Sequence, residues 1–165
     1  MDRKTLILVR HAKSCWKDDS LKDIDRPLNK RGRRDAPEMG RRLSVQSIVP
    51  QIMVPSQAVR ALRTAEAIAS QVNYPVARII VDEAIYGASA EDILEAVESF
   101  SDTVRVAMII GHNPTVTQLA NRFSDQVIEN VPTCGVLRVT AANWEDFTFD
   151  AQLQNFDYPK NPTSV

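Results

Sequence analysis

Four basic side chains lie at or just beyond the ends of apolar runs, where a catalytic site could form. They are Arg10, His11, Arg60 and His112, and they include both histidines of the chain. An arginine offers fixed N–H donors suited to a phosphate or a carboxylate, and an imidazole nitrogen can attack, accept a proton or bind a metal. Arginine next to histidine indicates phosphate chemistry, although a single such pair at a strand end is also common as a half-exposed structural pair.

Buried strands must position these side chains. Residues 6–9 form a continuous aliphatic run that predicts a buried strand ending at Arg10, and further strands are predicted over 51–54 and 104–110. Arg60 falls in the first turn of a helix predicted over 58–72, and His112 follows the strand 104–110. Because parallel strands bring their carboxyl ends to one edge of a sheet, we expect all four side chains to converge.

The remaining elements complete an α/β pattern in which strands and helices alternate. Asn29 is expected to cap a helix to about Val45, and Ser89 is expected to cap another. The other predicted elements are a loop at 14–28, a strand at 77–81, a helix at 115–123, and two strands at 136–140 and 147–153. Together they predict one domain, residues 1–165, with a three-layer α/β/α sandwich, a mixed, mostly parallel sheet and a C-terminal hairpin.

Composition excludes several function classes. Hydrophobic residues make up 44% and charged residues 25% of the chain, with no apolar run near the ~18 residues that span a bilayer and no signal-peptide pattern. We therefore expect a cytoplasmic protein that does not bind membranes. The two cysteines, Cys15 and Cys134, lack the spacing of a zinc site, so no metal site is predicted.

The charge distribution favours an anionic substrate. Through Ser44 the chain carries 13 Lys and Arg against 7 Asp and Glu, whereas the remainder carries 7 against 14. The basic N-terminal quarter surrounds Arg10 and His11, where its field would attract anions. Aromatic residues are few and do not alternate with the basic ones, so nucleic-acid binding is not expected.

Four ordered motifs carry a resemblance to a known family. They are the segment from Leu8 to Ser14, Arg26-Pro27-Leu28 followed by Gly32, Ser56 to Ala61 followed by Thr64-Ala65, and Gly111-His112-Asn113-Pro114. From Thr5 to Leu137 the chain resembles the histidine phosphatase superfamily (phosphoglycerate mutase-like), and within it the SixA-type phosphohistidine phosphatases. Ala12 stands where the superfamily usually has a glycine, and Lys17 where many members have an asparagine.

The resemblance implies roles for individual residues. It implies that His11 is the nucleophile that becomes phosphorylated, and that the phosphoryl oxygens are held by Arg10, Arg60 and His112. Ser14 occupies a position where the superfamily often has a phosphate-contacting serine. Glu83 is a possible general acid, and the alternative for it is a solvated loop carboxylate.

The resemblance also implies a hydrolase that needs no metal and no cofactor. Two guanidinium groups and an imidazolium can stabilise the charge on a transferring phosphoryl group. The expected partner is a phosphorylated protein bearing phosphohistidine, and the alternative is a small phosphate monoester. A third possibility is a phosphate-binding regulatory module that has lost turnover.

Overall fold

A five-stranded mixed sheet forms the centre of the computed structural model, which describes residues 2–162. The strands are β1 (Lys4–Arg10), β2 (Ile52–Pro55), β3 (Val106–Gly111), β4 (Val136–Ala141) and β5 (Gln152–Asp157). Their order is β2-β3-β1-β4-β5. Strand β3 is parallel to β1 and β2, and β4 is antiparallel to β1 and β5. Four strands therefore run in one direction, which confirms the predicted mixed, mostly parallel sheet.

Helices cover both faces of the sheet. They are α1 (Lys30–Val45), α2 (Val59–Gln71), α3 (Ala90–Glu98) and α4 (Thr115–Phe123). In β1, Ile7 and Val9 pack with α1 and α2, whereas Leu6 and Leu8 pack with α3 and α4. This two-sided burial explains why β1 is apolar throughout, and it confirms the three-layer sandwich. None of the helices within residues 2–162 combines the length and the apolar character that crossing a bilayer requires.

Side chains predicted from the sequence fix where two helices begin. Asn29 Oδ1 accepts a hydrogen bond from the Gly32 backbone at 2.8 Å and caps α1. Ser89 and Asp92 bond each other's backbone N–H groups in a capping box at the start of α3. A side chain at Gly32 would collide with the backbone carbonyl of Lys13. The absent side chain therefore lets α1 start directly against the loop that follows β1.

The strand predicted over 77–81 is wrong. A 3₁₀ helix at Val76–Arg78 replaces its first half, and the following residues run along the outer edge of β2. There the Ile80 N–H donates to the Met53 carbonyl at 3.0 Å. In a parallel ladder the Ile80 carbonyl would accept from the backbone N–H at position 55, but Pro55 has none. The segment therefore covers the sheet edge without becoming a strand.

The C-terminal hairpin is confirmed, but its second strand begins later than the predicted 147–153. A 3₁₀ helix at Glu145–Thr148 precedes it. In a strand, residues two apart share a face, yet Phe147 is 1% exposed and Phe149 is 77% exposed. Phe147 instead stacks on Trp144, with ring centroids 5.2 Å apart. Core packing of these two rings therefore overrides the alternating pattern that indicated a strand.

Candidate active site

The carboxyl ends of the parallel strands bring the four basic residues together. Arg10 and His11 lie at the end of β1, His112 directly follows β3, and Arg60 lies in the first turn of α2. The rings of His11 and His112 have their centroids 5.0 Å apart, and Arg60 Nε lies 3.4 Å from His11 Nε2. The backbone N–H of His11 donates to the Gly111 carbonyl at 3.1 Å. This bond joins the ends of β1 and β3.

The surroundings of His11 favour its neutral form and one tautomer. Its Nδ1 lies 2.7 Å from the backbone carbonyl of Ala12, which can only accept a hydrogen bond. Its Nε2 faces the N–H of Arg60 and must therefore carry a lone pair. Burial is the main reason that the pKa of His11 falls to about 3; the Ala12 hydrogen bond opposes this effect and nearby positive charges add to it. His11 thus presents an unprotonated Nε2 suited to nucleophilic attack.

His112 is also neutral in this site. Its Nε2 lies 2.7 Å from the Ser56 hydroxyl, and its Nδ1 lies 3.5 Å from Arg60 Nη2. Since the guanidinium has only donors, Nδ1 is the unprotonated nitrogen. Burial, followed by the charge of Arg60, lowers the pKa of His112 to about 4. A phosphoryl dianion beside Nδ1 would favour the protonated form, and His112 could then donate to a phosphoryl oxygen.

The guanidinium of Arg60 is held along a different edge from the one that faces the two histidines. Its Nη1 donates to the Asp23 carbonyl at 2.7 Å, and its Nη2 donates to Asp23 Oδ2 at 3.0 Å. The Tyr86 hydroxyl donates to the same carboxylate oxygen at 2.6 Å. The bond from Tyr86, followed by the interaction with Arg60, lowers the pKa of Asp23 and keeps it ionised. Arg60 itself is only 8% exposed.

Arg10 has a donor with no partner in the described part of the chain. Its Nη1 donates to the Val131 carbonyl at 3.0 Å, whereas its Nε is buried and unpaired. Asn113 donates to the same carbonyl at 3.1 Å and so helps to place it. Burial, followed by the charge of Arg60, lowers the pKa of Arg10. An unpaired buried donor is costly, and an oxyanion is a partner that would satisfy it.

Ser14 and Glu83, the other two predicted site residues, have no hydrogen bond to any of the four basic residues within 2–162. Ser14 is buried and forms a backbone bridge to Leu28, and its hydroxyl bonds no other residue within 2–162. Glu83 begins the 3₁₀ helix Glu83–Ile85 and is exposed. Across those same residues its carboxylate has neither a hydrogen bond nor an ion pair. Phosphate contact by Ser14 and proton donation by Glu83 therefore remain predictions.

Four supporting residues were not predicted, and they are Asp23, Ser56, Thr64 and Tyr86. Thr64 Oγ1 accepts from the Ala12 N–H at 2.9 Å and donates to the Arg60 carbonyl at 2.7 Å, so it ties the residue after His11 to α2. Ser56 and Thr64 lie within motifs that the sequence had already indicated. Asp23 and Tyr86 meet across 63 positions, and no local pattern signals such a contact.

The lowered pKa values of the two histidines predict a pH-dependent stability. Because both lie below the ordinary value of about 6.5, the unfolded chain binds protons that the folded chain excludes at mildly acidic pH. The free energy of unfolding should therefore fall between pH 7 and pH 5, by about 1–2 kcal/mol for each histidine. The hydrogen bond from Arg41 is the main cause that lowers the pKa of Glu38 to about 2. Protonation of Glu38 therefore affects the free energy of unfolding mostly below about pH 5.

Urea unfolding at pH 7 and pH 5 measures this dependence, and a variant identifies its source. The substitution His112→Asn removes one of the two groups and should abolish about half of the loss. An unchanged loss in this variant would show that His112 is not excluded from protonation in the folded protein.

Solved structures share this fold over nearly the whole chain. SixA from Agrobacterium tumefaciens superposes with a TM-score of 0.81 at 23% identity, covering 96% of this chain and 100% of that chain. The protein histidine phosphatase SixA, in complex with tungstate, gives a TM-score of 0.80 at 18% identity and covers 94% and 97%. At these identities the likeness shows the fold.

Sequence comparisons show the family. An uncharacterised chloroplastic protein of Arabidopsis thaliana is 31% identical over 153 residues, which are 87% of this chain and 70% of that protein. An uncharacterised protein of Mycobacterium tuberculosis is 32% identical over 152 residues, covering 84% and 90%. The family model for the histidine phosphatase superfamily (branch 1) matches residues 6–89. This match includes Arg10, His11 and Arg60, and the chain belongs to the histidine phosphatase superfamily.

Proposed function

We propose that this protein is a phosphatase in which His11 accepts a phosphoryl group from phosphohistidine in a protein substrate. The observation that carries the proposal is the state of the His11 ring. Its Nδ1 is committed to the Ala12 carbonyl, so that the lone pair on Nε2 is directed toward Arg60 and His112. This is the arrangement that a covalent phosphoryl relay requires.

The reaction proceeds in two transfers. In the first, the His11 Nε2 lone pair attacks phosphorus, an N–P bond forms, and the bond to the substrate nitrogen breaks with its electron pair remaining on the leaving imidazole. In the second, water attacks the same phosphorus, the N–P bond breaks, and its electron pair returns to Nε2. Both protons of the attacking water leave with the product as H2PO4⁻, which exchanges one of them with solvent, so His11 returns to its neutral starting tautomer.

Side chains of the site provide the charge stabilisation in both transfers. The phosphoryl group carries negative charge on three equatorial oxygens in the transition state. Arg10 offers its unpaired buried Nε, and Arg60 offers the guanidinium edge that faces the histidines. Once protonated in the presence of the dianion, His112 adds a third donor. We therefore propose a reaction that does not depend on a metal ion.

Three observations favour a phosphohistidine in a protein over a small ester. The imidazole of a phosphohistidine can leave with a proton already on its other ring nitrogen, so it needs little help from a general acid, in keeping with the exposed position of Glu83. The segments linking β2 to β3 pack on the faces of the sheet through α2 and α3, which favours an open site. The SixA named as a protein histidine phosphatase matches the chain over 94% of its length.

Trapping the phosphoenzyme tests the proposal. We expect brief incubation with a histidine-phosphorylated protein, followed by an alkaline quench, to leave an acid-labile, alkali-stable phosphate on His11, located by mass spectrometry. Excess EDTA should not change the yield, and tungstate should reduce it by competing for the oxyanion site. p-Nitrophenyl phosphate serves as the ester donor and should label more slowly. No label on His11 from either donor, or a label lost with EDTA and restored by metal, would contradict the proposed function.

A further inference from the structure

We propose that Asp23, held in place by Tyr86, is a positioning residue that aims Arg60 at the transferring phosphoryl group. This inference rests on the proposed function and adds a part to it. Neither residue was among the predicted site residues. They come from two separate segments, the loop between β1 and α1 and the turn before α3, and they meet beside Arg60.

The two edges of the Arg60 guanidinium have different partners. The edge formed by Nη1 and Nη2 donates to the backbone carbonyl and to the carboxylate of Asp23, at 2.7 and 3.0 Å. The edge formed by Nε and Nη2 faces His11 Nε2 and His112 Nδ1, at 3.4 and 3.5 Å. Because the guanidinium is planar, fixing one edge fixes the direction of the other. Asp23 thus leaves free the edge that phosphoryl oxygens need.

The Asp23 side chain is held by hydrogen bonds more than by burial. It is 47% exposed, yet Oδ2 accepts from both Arg60 and Tyr86. The Tyr86 ring also stands edge-on to His112, with centroids 5.5 Å apart. Tyr86 therefore contacts the positioning carboxylate and a phosphate-binding histidine at once. Loss of its hydroxyl would leave Asp23 with Arg60 alone.

Charge and positioning predict opposite effects of removing the carboxylate. If Asp23 acted only through its negative charge, its loss would strengthen the attraction of the site for phosphate and would not slow the reaction. If Asp23 aims Arg60, its loss lets the guanidinium turn away, and the transition state loses a well-placed donor. The positioning role therefore predicts a fall in kcat with little change in KM.

Steady-state kinetics on a histidine-phosphorylated protein test the inference. We expect Asp23→Ala to lower kcat by about 10- to 100-fold, within the range for a misplaced catalytic donor, with KM changed less than about threefold. Asp23→Asn keeps an acceptor oxygen for Arg60 and should retain most of the activity. Asp25→Ala is the matched control, because it removes an exposed carboxylate from the same 3₁₀ helix, Asp23–Asp25. It should match wild type.

A double-mutant cycle with Arg60→Ala decides whether Asp23 acts through Arg60. In that background Asp23→Ala should cost no further activity. As a single substitution Tyr86→Phe should lower kcat, but in the Arg60→Ala background it should leave kcat unchanged. An undiminished loss in the Arg60→Ala background, or tighter phosphate binding at unchanged kcat, overturns the inference. If Asp23→Ala impairs folding, Tyr86→Phe takes its place in the same double-mutant cycle. Wild-type labelling on His11 is measured in parallel, so a failure of the proposed function shows as absent label and is distinct from these outcomes.

Discussion

Replacing His11 by alanine or asparagine should lower kcat/KM for a histidine-phosphorylated protein by at least about 10⁴-fold, the scale seen when a nucleophile is removed. The loss follows from the site, because Nε2 of His11 is the unprotonated nitrogen beside Arg60. Without it the phosphoryl group has no covalent acceptor. Asparagine makes the sharper variant, since its amide can still donate to the Ala12 carbonyl that now accepts from Nδ1.

Stopped-flow or quenched-flow assays with matched thermal unfolding measure this effect. Both variants should unfold cooperatively, because the hydrophobic cores on the two faces of the sheet do not include the imidazole. Neither variant should yield the acid-labile label described above. Activity within about tenfold of wild type in the asparagine variant would mean that water attacks the substrate directly, and would remove the covalent route.

Replacing Arg60 by lysine should lower kcat by about 10²- to 10³-fold, the cost of losing one well-placed donor in the transition state. The ammonium of lysine keeps the charge but cannot contact His11, His112 and Asp23 from two planar edges at once. Positive charge alone is therefore not expected to rescue the reaction.

Arg63→Lys provides the control on the same helix. Arg63 lies one turn further along α2, is exposed, and pairs with Glu66 at 2.8 Å, so its replacement should leave the rate unchanged. Kinetics of both variants across substrate concentrations separate binding from chemistry. A raised KM with unchanged kcat for Arg60→Lys would show that Arg60 holds the substrate equally in the ground state and in the transition state.

The arrangement of the strands explains how far the sequence predicts the site. The positions of Arg10, His11 and His112 follow from buried strands whose carboxyl ends must share an edge, and β1 and β3 are indeed parallel neighbours. The helix starts at Asn29 and Ser89 follow from local capping chemistry. Such features depend on residues close together in sequence, or on a general rule of sheet topology.

What could not be predicted depends on contacts between distant segments. The failure of 77–81 to become a strand follows from Pro55, whose missing N–H matters only once the two segments lie side by side. The pairing of Asp23 with Tyr86 likewise depends on how two loops meet beside Arg60. Periodicity describes one segment at a time, and it carries no information about such encounters.

The central position of β1 in the sheet has a consequence for local unfolding of the protein. The Arg10 and His11 backbone bonds to neighbours on both sides, through Gly135, Gly111 and Cys134, whereas Asp23 lies in an exposed segment. Local opening in native proteins starts where buried contacts are few and reaches central strands last. Small fluctuations should therefore release Arg60 from Asp23 while His11 stays in place. Heating should then disturb the alignment of Arg60 at a lower temperature than the one at which His11 loses its position and can no longer accept a phosphoryl group.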